Sequence, residues 1–194
     1  MTLLEERNIR AYDLWQLAMQ QTDWDEKLRL LEQSSQLDAY RPNVWLALSK
    51  CYFRIRRYDD CANAIDMGLL VDEHDKYLLD AKMMLELNRG NTPGALAVID
   101  RMLEPASSRE RNNLVRLKVS ILIDSDMYDE AIDQLRKLTH RPHPSMKDLV
   151  SLGLLAERQG DMQLAVRTFT RLRKMKPKDR NFARHVEDFF LRHP

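Results

Sequence analysis

The chain has 194 residues, 44% of them hydrophobic and 31% charged, with only 5 glycines and 7 prolines. That composition describes a folded, helix-rich protein and excludes both a disordered chain and a turn-rich strand architecture. A net charge of +1 excludes a global field recruiting nucleic acid or an anionic membrane. The 2 cysteines exclude a disulfide framework, no run reaches about 18 uninterrupted apolar residues, and the MTLLEERNIRAYDLW start lacks a signal-peptide pattern. The expectation is a cytoplasmic protein with no membrane span.

In chain order, Ala11, Leu14, Trp15 and Ala18 mark one face of a first helix, and TDWDEKLRLL opens a second. Trp45, Leu48, Ser49 and Tyr52 repeat the first pattern, and RRYDDCANAI repeats the second. GNTPGALAVI, DMYDEAIDQL and GDMQLAVRTF are three more copies of the second, while Leu149, Leu152, Gly153 and Ala156 restate the first. The equivalent residues Lys27, Cys61, Ala95, Ala131 and Ala165 lie 34, 34, 36 and 34 residues apart. Such a period means helix–turn–helix units that stack, because neither helix buries its stripe alone.

The third and fourth units place Lys82 and Lys118 where the first helix needs an apolar residue. A one-residue shift restores the stripe as Leu78, Ala81 and Leu85, then Leu114, Leu117 and Ile121. Thr92 before Pro93 reads as an N-cap, Ser107 with Glu110 as a capping box, and Thr22 with Asp25 and Ser145 with Asp148 as acidic variants. EPASSRER accommodates the two extra residues of the 36-residue spacing, and THRPHPSM is a second interruption. Near the end, Phe182, Val186, Phe189 and Phe190 form a stripe that reads as a cap on the fifth unit or as a self-association surface.

On Trp45, Leu48, Ser49, Tyr52, Tyr58, Cys61, Ile65 and Gly68, and on Leu152, Gly153, Gly160, Ala165, Phe169, Leu172 and Pro177, the chain resembles the tetratricopeptide repeat (TPR) family. The first unit departs from the pattern at Lys27 and Ser34, where alanines are usual. The resemblance covers about residues 8 to 177. It implies an all-α, right-handed solenoid of antiparallel helix pairs, forming a single domain over 1–194. Its repeats run at about 8–41, 42–75, 76–111, 112–145 and 146–179, with a C-terminal capping helix at about 180–192.

The same resemblance puts the first helix of each unit on a concave, ligand-facing side. Facing it would be Tyr12 and Gln16, then Asn43, Leu46, Lys50, Phe53 and Arg54, then Tyr77, Asp80 and Met84, Arg116, and finally Lys147, Leu154 and Arg158. Those apolar groups either seat a partner's helix or extended peptide, or pad a narrow curve. Tyr12, Gln16 and Ala47 stand where the carboxylate-clamping members carry paired Lys and Asn, so that binding mode is not expected.

Chemistry-bearing residues read as structural. Cys51 and Cys61 occupy packing positions, with no second pair to complete a zinc site. His140 and His143 sit in a proline-broken loop, and Val71–Asp75 lacks calcium-loop spacing. Arg54, Arg56 and Arg57, and the RLRKMKPKDR run, fall at helix C-termini, where cations complement the dipole. No phosphate loop, nucleophile elbow or HExxH occurs. The expectation is a non-enzymatic, cofactor-free and metal-free adaptor or assembly factor that binds another protein. A chaperone for a secreted or assembling client is the alternative, and helical-repeat RNA binding the minor one.

Overall fold

The computed structural model describes residues 2–141, 143–175 and 179–193. Pro142 of the histidine loop and Pro177 of the fifth-unit match lie outside the described residues. Among the described residues the chain is α-helical without strands, and it divides into two compact units, Met1–Pro105 and Ala106–Pro194. The first holds α1 (Leu3–Gln20), α2 (Trp24–Leu37), α3 (Pro42–Arg54), α4 (Tyr58–Val71), α5 (Lys76–Asn88) and α6 (Thr92–Leu103). The second holds α7 (Ser108–Asp124), α8 (Tyr128–Thr139), α9 (Met146–Arg158), α10 (Met162–Lys174) and α11 (Arg180–Arg192). Short turns join α1 to α2, α3 to α4, α5 to α6, α7 to α8 and α9 to α10, and each pair packs back on itself.

Four of those five turns share one backbone device. Arg56, Gly90, Asp126 and Gly160 have φ of 61°, 72°, 58° and 78°, the left-handed conformation that ends a helix. The next residue's N–H then reaches back five positions. Arg57 donates to the Tyr52 carbonyl at 2.9 Å, Asn91 to Glu86 at 2.9 Å, Met127 to Leu122 at 2.8 Å and Asp161 to Ala156 at 2.9 Å. Each left-handed residue stands five before Cys61, Ala95, Ala131 or Ala165, all buried, so turn and packing share one register. The α1–α2 turn is different: Gln21 is extended, with φ −71° and ψ 136°.

The caps differ in detail from the sequence expectation. Ser107 and Glu110 do form a capping box, and Thr2 with Glu5 forms another. For α6 the cap is Asn91 rather than Thr92, because the Asn91 carbonyl oxygen reaches the Gly94 N–H at 3.1 Å. For α2 it is Asp23 rather than Thr22, accepting from the Asp25 N–H. Ser145 makes no side-chain cap bond, and its expected partner Asp148 turns to Arg116 instead.

In the first unit Ala18, Leu30, Leu31, Val44, Leu48, Cys51 and Ala64 pack together, flanked by Trp15, Trp45 and Tyr52. Two of the polar groups there are satisfied, Ser34 Oγ donating to the Ala11 carbonyl at 2.7 Å and Trp45 Nε1 to Ala39 at 2.8 Å, whereas the buried Trp15 Nε1 has no partner among the described residues. Tyr52 Oη donates to Glu32 Oε1 at 2.8 Å, and burial together with that carboxylate holds the phenol well above its ordinary range. The shifted stripes are seen in part. Leu78, Leu85 and Ile121 are buried, whereas Ala81, Leu114 and Leu117 are half-buried, and Leu79, Met83, Val119 and Leu122 complete the packing faces. Lys82 turns outward to Asp66 at 2.7 Å.

In the second unit Leu149, Val150, Ala156, Ala165, Phe169 and Leu172 receive Val186 and Phe189 of α11. Phe169 and Phe189 stack with centroids 4.3 Å apart, and Phe182 and Phe190 pack against the same cluster, so the α11 stripe is engaged within its own unit. Gly153 allows this: a Cβ there would lie 2.7 Å from the buried Phe169 ring.

Two outcomes test these constraints. Urea denaturation should show Arg56→Gly gaining, and Gly160→Ala losing, roughly 0.5–1 kcal/mol, since only glycine adopts this φ without a Cβ penalty. Gly153→Ala should lower stability by about 1–3 kcal/mol through overpacking against Phe169. A neutral result in either series would show that the site relaxes.

Candidate functional site

Within the first unit, α3 and α5 leave a groove of about 410 Å³. Small residues, Ser49, Ala81 and Cys61, line part of it, because the serine and the cysteine occupy the packing face of their helices and leave the opening unfilled. Around them stand Leu46, Phe53, Tyr77 and Met84; Tyr77 is 57% and Met84 54% exposed, far more than apolar groups of a sealed core. Lys50 and Asp80 bring opposite charges to the lining, and partial burial raises the Asp80 carboxyl while Lys76 pulls it back. Six residues expected from the sequence on the ligand-facing side, Leu46, Lys50, Phe53, Tyr77, Asp80 and Met84, therefore share one groove; Ser49, Ala81 and Cys61 join them.

The remaining expected residues lie elsewhere. Tyr12 is exposed on α1, stacked on Trp15 and accepting a 2.8 Å hydrogen bond from Gln16 Nε2, with the Arg41 guanidinium over its ring. Asn43 is exposed in the first turn of α3, and Arg54 ends that helix with its guanidinium 4.5 Å from the Trp24 centroid. Arg57 pairs with Asp60 at 2.7 Å and lies over Tyr52, so the Arg54–Arg57 cluster serves ring and ion-pair contacts rather than the dipole alone.

In the second unit Arg116 is committed to Asp148 by a two-pronged pair, Nε to Oδ1 at 2.8 Å and Nη2 to Oδ2 at 2.9 Å. Asp148 is only 4% exposed, so this pair ties α7 to α9. Lys147 lines the same small pocket of about 240 Å³. Leu154 is exposed, and Arg158 lies over the Tyr128 ring at 4.4 Å.

Cys51 and Cys61 are free and buried. Burial raises the Cys51 thiol and pushes Cys61 up to about 11, despite Lys27 and Arg89 pulling the other way. Both stay protonated near neutral pH, the state of packing residues and not of nucleophiles. In Val71–Asp75 the carboxylates serve local structure: Asp75 caps α5 and Asp72 accepts from the His74 N–H. No helix of the described residues is long and apolar enough to cross a membrane.

This arrangement of stacked helix pairs is similar to that of known structures. The chain has a tetratricopeptide-repeat fold. The structure of MamA is similar over 86% of this chain and 90% of that one, with a TM-score of 0.61 at 16% identity. YrrB, described as a TPR protein with an unusual peptide-binding site, is similar over 95% of each chain, with a TM-score of 0.59 at 14% identity. PilF of Pseudomonas aeruginosa is similar over 98% of this chain and 88% of that one, with a TM-score of 0.57 at 10% identity. No protein-family model matches the chain, and no curated protein matches it significantly.

Replacing Arg116 with Met should cost about 2–3 kcal/mol, below the full penalty of a buried pair because the arginine is partly exposed. The loss arises from the stranded Asp148 carboxylate, so adding Asp148→Leu should recover much of it. Thermal unfolding of the single and double variants checks this, and strict additivity would contradict the coupling.

Proposed function

We propose that the chain is a non-catalytic binding module that takes an apolar segment of a partner protein, a short peptide or amphipathic helix, into the α3–α5 groove. One observation carries this reading: an open groove of about 410 Å³ whose walls are Leu46, Phe53, Tyr77 and Met84. An apolar concavity with a few polar groups is the usual form of a recognition site. The similarity to YrrB, itself described as having a peptide-binding site, supports the same reading. Lys50 and Asp80 would orient the segment by pairing with charges beside its apolar anchor.

In this reading the helix pairs are five repeats, at about 8–41, 42–75, 76–111, 112–145 and 146–179, with α11 closing the last. The role in the cell would be that of an adaptor or assembly factor. The primary contacts are Leu46, Lys50, Phe53, Tyr77 and Met84, with Asn43 and Arg54 flanking them on α3.

Affinity purification from the native cell identifies a partner, and binding of the isolated partner segment then tests the groove. Phe53→Ala and Leu46→Ala should each weaken that binding by about tenfold or more, the effect of truncating a buried anchor. Leu154→Ala, in the second unit, should leave it unchanged. Unaltered affinity in both groove variants would remove the groove as the site.

A further inference from the structure

In the second unit, α8 and α10 enclose a pocket of about 300 Å³ that carries Arg136, His140, Arg167 and Arg171. Arg171 is held in place there, donating to the Thr139 carbonyl and, at 2.7 Å, to the Arg141 carbonyl. Arg136 donates to Asp161 at 3.4 Å and pairs with Asp133 at 3.6 Å, both exposed surface contacts. Arg167 forms no hydrogen bond or ion pair among the described residues and stands one helical turn before Arg171, a like-charge arrangement that destabilises a helix. The hydroxyls of Thr139 and Thr168 donate to the carbonyls of Leu135 and Leu164, which leaves the Arg167 guanidinium as the uncommitted donor of the pocket.

The repeat supplies its own control. A shift of 70 residues maps this pocket onto the one formed by Asp66, Leu69, Leu70, Lys82 and Arg101 in the first unit. Arg101 does there what Arg171 does here, donating to the Glu73 carbonyl at 2.6 Å. The carbonyl-capping arginine therefore belongs to the fold. The surrounding charge does not: Asp66, paired with Lys82, becomes Arg136; Lys82 becomes Leu152; Ala97 becomes Arg167; and Leu70 becomes His140. The Asp66 carboxylate is gone, and an arginine and a histidine replace an alanine and a leucine, while Asp133 and Asp161 stand beside Arg136 where the first unit has Asn63 and Asn91.

We propose that the α8–α10 pocket of the second unit binds a phosphate group, with Arg167 and Arg136 as its donors and Arg171 as a fixed third. Guanidinium forks match phosphate oxygens in pairs of charge-assisted hydrogen bonds, and a pocket of this size admits one such group. The site is separate from the α3–α5 groove, and it stands or falls independently of that reading.

The full-length chain, labelled with ¹⁵N, is titrated with inorganic phosphate against sodium chloride of equal ionic strength. Saturable shifts are expected at the amides of Thr139, His140, Thr168 and Arg171. Arg167→Gln should weaken binding about tenfold without lowering the melting temperature, whereas Lys82→Gln should change nothing. End-blocked phosphoserine serves as a second ligand: tighter binding than inorganic phosphate assigns a phosphorylated side chain, and weaker binding assigns free phosphate. Acetate binding as tightly as phosphate overturns the proposal. So do non-saturating shifts, shifts spread over both units, or an unchanged affinity in Arg167→Gln.

Discussion

The structure depends on a backbone constraint: a helix must stop, reverse and meet its partner within a few residues. Arg56, Gly90, Asp126 and Gly160 accomplish this with a left-handed residue and a five-residue back-bond, and a buried small residue follows five positions later. The turn fixes where the second helix starts, and the small residue lets its first turn approach the first helix closely. The arginines Arg101 and Arg171 then reach carbonyls at or just beyond the end of the preceding second helix, Glu73 after α4 and Thr139 at the end of α8. That an arginine and an aspartate occupy the left-handed position in two turns shows that the closed hydrogen bonds outweigh a strain of about 1–2 kcal/mol.

The same scaffold gives different surfaces in the two units. Between α3 and α5, small side chains leave an apolar opening rimmed by Lys50 and Asp80. Between α7 and α9, Arg116 and Asp148 fill the corresponding region with an ion pair that joins the helices. Between α8 and α10 a cationic pocket replaces the charge-balanced one of α4 and α6. Substitutions at equivalent positions thus change the chemistry of these surfaces on one helix-pair scaffold, even where the side chain concerned, such as Ser49, Cys61 or Asp148, is itself buried.

Much of the candidate groove was legible in the sequence. Once Trp45, Leu48 and Tyr52 are assigned to the packed face, Leu46, Lys50 and Phe53 must project from the other, and the same argument brings Tyr77 and Met84 to face them. Asp80 is read from the same face of that helix, between Tyr77 and Met84. Arg116 was legible as a projecting cation and not as half of an ion pair, because its partner lies 32 residues away. The caps went astray for a local reason: Asn91 and Asp23 adjoin Thr92 and Thr22, and which oxygen reaches the amide depends on backbone angles that composition does not set.

By itself the sequence determined the helical class, the near-34-residue period, the packing faces and the structural character of the two cysteines. These are periodic or local properties, set by side-chain hydrophobicity and size along one helix. Tertiary structure alone decided which projecting residues meet in a groove, that Asp148 is buried against Arg116, and that Arg136, Arg167 and Arg171 converge on one pocket. Each of those depends on how far apart neighbouring helices stand and how they are rotated, a geometry created by packing between residues distant in the chain.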